Sequence, residues 1–382
     1  MNRGLWGLIG FVLVFVGCGP SSFQSARELS SISEITHEDL LKNKDPITEP
    51  PPVDEGVPHA DPPSDPESVE YINLQDFIHN QKICSGLSFD GVLWPVHLTS
   101  DTELKAFLLA LNISGSFEGN NGFKNISNNF DGQGLSLGLL NQNFGQGSLQ
   151  PLMIKAYLKS NNIFQEYFSS NHQNSLEGML RVWASDRGFT TSQSVSKNLN
   201  YDLYSPLDKA LEQEFVQTMS LSWYNQKSVD WAVSNLYSGS QFVSSWKSEF
   251  TAFAESPEYV VEQMQAAMYL HNRARSYQED LGFDSIRSYL LFFDIAVQNG
   301  SLKSADITDY KAYLASGHEQ DTEEEKLNKI VELRLRHVLS QWRQDVLIRK
   351  SSLINGFGKV HGAERNYPSE YCFRLDDIVT IQ

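Results

Sequence analysis

Nine of the chain's fourteen prolines lie between Gly19 and Glu70, and that partition decides which part of the molecule can fold. Proline fixes φ and removes a backbone donor, so a stretch this rich in it builds neither helix nor sheet. The same stretch carries twelve acids against three bases. It has too little apolar surface to offset chain entropy and is expected to stay extended. A flexible coil of this length spans roughly 40 Å root-mean-square. Only five prolines remain in 71–382, which is therefore free to be helical. With 40% hydrophobic and 12% aromatic residues over 382 positions, this part can bury a sizeable core. A formal charge of -17 repels nucleic acid, so nucleic acid is excluded as a partner. Three cysteines, with no CxxC and no Cys/His cluster, give no expected metal site, and no cofactor motif is present.

Residues 1–17 read as an export leader: Arg3, an apolar run from Leu5 to Val16, then Gly17 before Cys18. The run is too short for a membrane span, which needs roughly 20 residues. Phe15-Val16-Gly17-Cys18 resembles a bacterial lipobox, so cleavage before Cys18 and acylation of its thiol are expected; an ordinary secretory signal with a chance cysteine is the alternative. That would anchor the chain to a membrane through lipid, with 18–70 as tether and 71–382 as the folded part. A bacterial cell-envelope location, periplasm or outer membrane, or secretion, follows.

Helical signals dominate 71–382. Ser100-Asp101-Thr102-Glu103 is a capping box opening a periodic segment with Leu104, Phe107, Leu108 and Leu111. Amphipathic stretches follow at about 151–168, 206–222, 257–280 and 284–298, with Ser256-Pro257 as cap and first-turn proline of one of them. Thr322 to Glu325 forms a second capping box, and a helical pattern continues through about Lys350. Arg343, Arg349 and Lys350 near its end suit the helix dipole. Trp223, Trp231, Trp246 and Trp342 lie on apolar helical stretches and read as core. The expected fold is mostly α.

One segment breaks the pattern. Asn112 to Gly147 is rich in Gly and Asn, residues that tight turns and left-handed backbone require. Phe117, Phe123, Phe130, Leu135 and Leu137 within it predict a packed, site-forming hairpin insert instead of a solvated linker. Its two acids, Glu118 and Asp131, carry the candidate chemistry. Phe117 beside Glu118 would raise that carboxyl by desolvation, whereas backbone amides and hydroxyls in Phe130 to Ser136 would keep Asp131 ionised. Two carboxyls with environments pulled apart are what glycoside hydrolysis needs.

Phe117-Glu118-Gly119, followed by Asp131-Gly132-Gln133-Gly134-Leu135-Ser136-Leu137-Gly138, resembles the active-site segment of the family 46 chitosanases of the lysozyme-like superfamily. That superfamily also holds goose-type lysozymes and lytic transglycosylases. Phe292 to Gly300 looks like the family's late core helix, and Arg349 to Gly362 resembles the closing segment of bacterial lysozyme-like proteins. The resemblance implies Glu118 as general acid, Asp131 as general base and Ser136, in the place of a family threonine, holding the attacking water. It also implies an inverting mechanism and a mostly α, α+β lysozyme-like fold, two helical lobes around a cleft with the Gly/Asn-rich hairpin insert. The interval between the two acids is shorter here than in the chitosanases, and Ser148 stands where the family has an aspartate that grips a substrate amine.

Gln142 and Asn143 fall where lysozyme-like enzymes present amides to sugar groups. Gln133, Ser148, Phe123 and Tyr157 complete the expected substrate contacts. Cys84 and Cys372 stand near the two ends of the folded part, where an oxidising compartment would let them pair; two free thiols are the alternative. His361, in the Gly-rich closing segment, reads as structural. The envelope location points to peptidoglycan, or a related glucosamine polymer, as substrate, with an N-deacetylated form favoured by the acidic surface. The expected protein is a monomeric, lipid-anchored, lysozyme-like peptidoglycan hydrolase. Chitosanase, lytic transglycosylase and a non-catalytic wall-binding lipoprotein are the alternatives.

Overall fold

The computed structural model describes residues 69–129, 131–160, 162–186, 223–299 and 301–379. The expected leader, Cys18, the tether up to 68, the helix at 206–222 and Phe130 lie outside the described residues. In chain order the elements are β1 (Tyr71–Asn73), α1 (Leu74–Asn80), β2 (Leu93–Pro95), α2 (Asp101–Glu118), β3 (Ile126–Ser127), β4 (Ser136–Leu137) and β5 (Gln142–Asn143). Then come α3 (Leu149–Lys159), α4 (Ile163–Tyr167), α5 (Ser170–Asp186), α6 (Trp223–Leu236), β6 (Tyr237–Ser238), β7 (Gln241–Phe242), α7 (Ser244–Ala254) and α8 (Pro257–Leu281). The chain closes with α9 (Ile286–Asn299), α10 (Ser304–Tyr313), α11 (Glu323–Leu335), α12 (Arg343–Asn355), β8 (Phe357–Val360), β9 (Ala363–Asn366) and α13 (Tyr367–Tyr371). The protein is thus mostly α, with short antiparallel sheets.

Both capping boxes form. Ser100 N donates to Glu103 Oε2 at 3.0 Å and Thr322 N to Glu325 Oε2 at 2.8 Å, so each box satisfies an end-of-helix donor that would otherwise be orphaned. Two apolar cores result. The first gathers α1, α2, α9, α11 and α12 around Phe107, Leu291 and Phe293. The second gathers α3 to α7 with Leu135, Leu137 and Phe144 from the insert. Helix α8 joins them: Val260, Met264, Ala267 and Leu270 pack into the first core, and Tyr259 and Ala266 into the second. At about 1.5 Å per residue its 25 residues run some 37 Å, long enough to serve both. These cores are the two helical lobes.

Helix α2 takes in the first Gly and Asn of the insert and ends at Glu118, and Gly115 within it is the place where Leu139 packs: a Cβ there would come within 2.4 Å of Leu139 Cδ1. Two expectations are corrected. The pattern at 151–168 divides at Ser160, which is extended, and the turn lets Tyr157 stack on Phe164 at 5.3 Å. The long pattern from 323 to 350 divides at 336–342, where His337 Nε2 and Arg336 Nη2 reach the buried Asp306 of α10 at 2.9 and 3.2 Å. A tertiary ion pair thus overrides a local helical period.

Candidate functional site

Helix α2 ends at Glu118, whose side chain is only 2% exposed. Arg349 of α12 donates from Nη1 and Nη2 to Glu118 Oε1 at 3.1 and 3.0 Å. The same guanidinium holds Asp294 of α9, its Nη2 lying 2.6 Å from Oδ1, and Lys350 Nζ reaches Asp294 Oδ2 at 2.5 Å. Ser114, one turn before Glu118, also donates to Asp294 at 2.9 Å. Two acids and two bases therefore form a buried, charge-balanced quartet, the arrangement that makes burying charge affordable. Desolvation pushes Asp294 upward, yet Arg349 and Lys350 outweigh it and hold its carboxyl well below the usual range. Desolvation lowers the Lys350 ammonium to about 8 against the pull of Asp294.

The surroundings of Glu118 differ from the apolar corner expected of Phe117. The Arg349 and Arg365 guanidinium carbons lie 4.4 and 5.9 Å from the Phe117 ring centroid, so the ring serves as a cation platform. Arg365 also donates to Ser116 Oγ at 3.0 Å. His361, at the left-handed turn of the β8–β9 hairpin, lies edge-on to Phe117 and 3.1 Å from Asp345 Oδ1. The closing segment of the chain thus wraps the end of α2.

The insert is a three-stranded meander, β3–β4–β5, one strand more than the expected hairpin. Asn125 and Asn141 donate to the Glu118 carbonyl at 3.4 and 3.2 Å, which moors the sheet to the end of α2. Asp131 lies in the β3–β4 connection, and Gln133 N donates to its Oδ1 at 3.1 Å. Burial raises the Asp131 carboxyl, and the Gln133 amide opposes this without cancelling it. The backbone amides expected to keep Asp131 ionised are outweighed by desolvation.

Ser136 is buried in the middle strand, opposite Ser127 and Asn143. Gln142 is buried in β5 with neither amide atom hydrogen-bonded. Asn143 and Ser148 bond each other and the turn between them: Asn143 N donates to Ser148 Oγ at 3.0 Å and Gln146 N to Asn143 Oδ1 at 2.8 Å. Gln133 accepts from Gly145 N through its carbonyl at 3.0 Å, joining the Asp131 loop to that turn. Phe123 is buried in the first core, edge-on to Phe89, and Tyr157 is half-buried on α3. Of the tryptophans, Trp246 is buried in the second core, with Trp231 packed against it, and Trp342 is half-buried; the side chain of Trp223 lies outside the described residues.

Asp294 and Arg349 carry the electrostatics at Glu118, and sequence reasoning left them without a role there. The signal lay in Phe292-Phe293-Asp294-Ile295, a lone acid in an apolar run that becomes a helix interior. An acid so placed needs a buried cation, and Arg349 and Lys350 supply it. Among the described residues no group of His, Cys, Asp and Glu is arranged to hold a metal ion.

The chain matches no family model and no curated protein. Among solved structures it is similar to a native chitosanase from Bacillus subtilis MY002, with 14% identity, 70% of this chain and 97% of that chain covered, and a TM-score of 0.38. At that distance the likeness assigns nothing to individual residues.

Proposed function

We propose that the chain is a glycosidase cleaving β-1,4 bonds of an amino-sugar glycan, with Glu118 as general acid, Asp131 as general base and Ser136 holding the attacking water. The observation that carries the reading is the one-sided grip on Glu118. Arg349 takes Oε1 through both Nη atoms, which orients the carboxyl and leaves Oε2 to deliver a proton to the leaving oxygen. Asp131 supports the reading from the other side, since a carboxylate raised by burial is a better base toward water than an ordinary one. The moored sheet supplies a rigid connection between the two acids, as an acid–base pair requires.

Peptidoglycan is the proposed substrate, reached by a domain that Cys18 anchors through lipid and 18–70 holds away from the membrane. The surplus of acids over bases in 71–382 disfavours an anionic wall and favours free amines, so N-deacetylated glycan is the preferred form. The test is digestion of purified sacculi, acetylated and deacetylated, by wild-type and Glu118→Gln protein. Loss of soluble products on the order of 10²–10⁴-fold in the variant is expected for a general acid. Equal release by both proteins would overturn the assignment. Products with anhydro ends, together with tolerance of Asp131→Asn, would indicate transglycosylation, and binding without release a wall clamp.

A further inference from the structure

The second lobe meets the Asp131 loop at α6 and through a hydrogen-bonding side chain that neither the sequence motif nor the resemblance includes. Tyr237, the first residue of β6, donates from its hydroxyl to the Gly134 carbonyl at 2.7 Å, across 103 positions of sequence. The Tyr237 ring is itself fixed, edge-on to Phe242 at 5.0 Å. Gly134 has φ +81, and a Cβ there would stand 3.2 Å from Val229 Cα and from Ala232 Cβ, so the loop sits directly on α6. Its amide donates to Asn129 Oδ1 at 2.6 Å, and Leu135 next to it is fully buried in the second core. The loop that presents Asp131 is therefore tied back by the Gly134 amide on Asn129, rests on α6 through Gly134 and Leu135, and receives a hydrogen bond from the second lobe through the Tyr237 phenol. Glu118, by contrast, is held by Arg349 of α12, itself braced by Asp294 of α9, in the first lobe.

We propose that Tyr237 is the positioning residue of Asp131: its hydrogen bond to Gly134 sets where the second lobe holds this carboxyl relative to the Glu118 of the first. The proposal rests on the assignment of Asp131 to glycan cleavage, and the two are tested separately. Tyr237→Phe keeps the ring, its contact with Phe242 and its burial, and deletes only the hydroxyl.

Steady-state rates on deacetylated glycan should show kcat reduced about tenfold with KM within about twofold, and a melting temperature within a few degrees of wild type. In the Asp131→Asn background the same change should have no further effect on the residual rate, because the two residues act as a unit. Gly134→Ala, which pushes the same loop off α6, should reproduce the loss in kcat. Wild-type kcat in Tyr237→Phe beside an inactive Asp131→Asn protein would overturn the proposal and leave the function intact. So would a full tenfold loss persisting in the Asp131→Asn background, since that marks a general structural defect. An Asp131→Asn protein as active as wild type would overturn the function itself, and the positioning role with it.

Discussion

Asp131 sits half-buried with no cation paired to it among the described residues, whereas Glu118 is locked to a guanidinium. That contrast has a stability consequence for Asp131. Burial raises its carboxyl above 3.8, so the folded protein takes up a proton before the unfolded chain does. Its contribution to stability therefore rises as pH falls through the interval between 3.8 and the raised value, and at pH 7 it is a cost that the Gln133 amide offsets only in part. Asp131→Asn should melt at or above the wild-type temperature at pH 7 while losing activity, and the difference should shrink in acid. A melting temperature lowered at pH 7 would contradict this account of its surroundings. The sequence motif singles out Glu118 and Asp131, which lie at the end of α2 and in the β3–β4 connection. The sign of the Asp131 environment was not legible there, because the count of nearby amides was visible and the depth of burial was not. Arg349 and Lys350 read as dipole partners at a helix end. They are mid-helix residues of α12 turned inward, a distinction that depends on where the preceding helix stops.

At the scale of elements, α2 and the β3–β5 meander form one unit, joined by Asn125 and Asn141 at the Glu118 carbonyl and by Leu139 against Gly115. Gly115→Ala should gain about 1 kcal/mol of helix propensity yet lose about 1–3 kcal/mol to overpacking, because the new methyl collides with Leu139 in the core. Chemical denaturation should show a net loss, and activity should fall with it, since the collision displaces the strands that follow Asp131. A net gain in stability would show that Leu139 has room to move. Helix starts were readable from capping boxes because those bonds are local. The break at 336–342 was not readable, because it answers to a distant partner, Asp306; the one at Ser160 turns on the stacking of Tyr157 on the nearby Phe164, which an apolar period does not show. The packed character of the insert was legible from its Phe and Leu residues; its third strand, only two residues long, was not.

Across the whole molecule, the disulfide Cys84–Cys372 ties the start of the folded part to its last turn, with a sequence separation of 288. Cys84 N also donates to the Tyr371 carbonyl at 3.2 Å, so backbone and side chain make the same closure. A cross-link over so long a loop restricts the unfolded chain, and its removal should cost about 2–4 kcal/mol. The paired Cys84→Ser and Cys372→Ser substitutions, compared with wild type in denaturant, should show that loss. Alkylation should reach these two thiols only after reduction, and labelling without reductant would contradict the bridge. The pairing was open in sequence because two cysteines near opposite ends of a fold become neighbours only if the chain returns to its start. It does so here through Asp377, whose Oδ2 accepts from Lys105 Nζ of α2 at 3.3 Å.

Glycan cleavage by Glu118 and Asp131 is the claim on which the rest depends, and the configuration of the first-formed sugar tests it most directly. Proton NMR of the anomeric region during digestion of deacetylated glycan should show the α anomer of the new reducing end appearing first with wild-type protein, and no new signal with Glu118→Gln or Asp131→Asn. A β anomer appearing first, or unchanged release by either variant, would contradict the account.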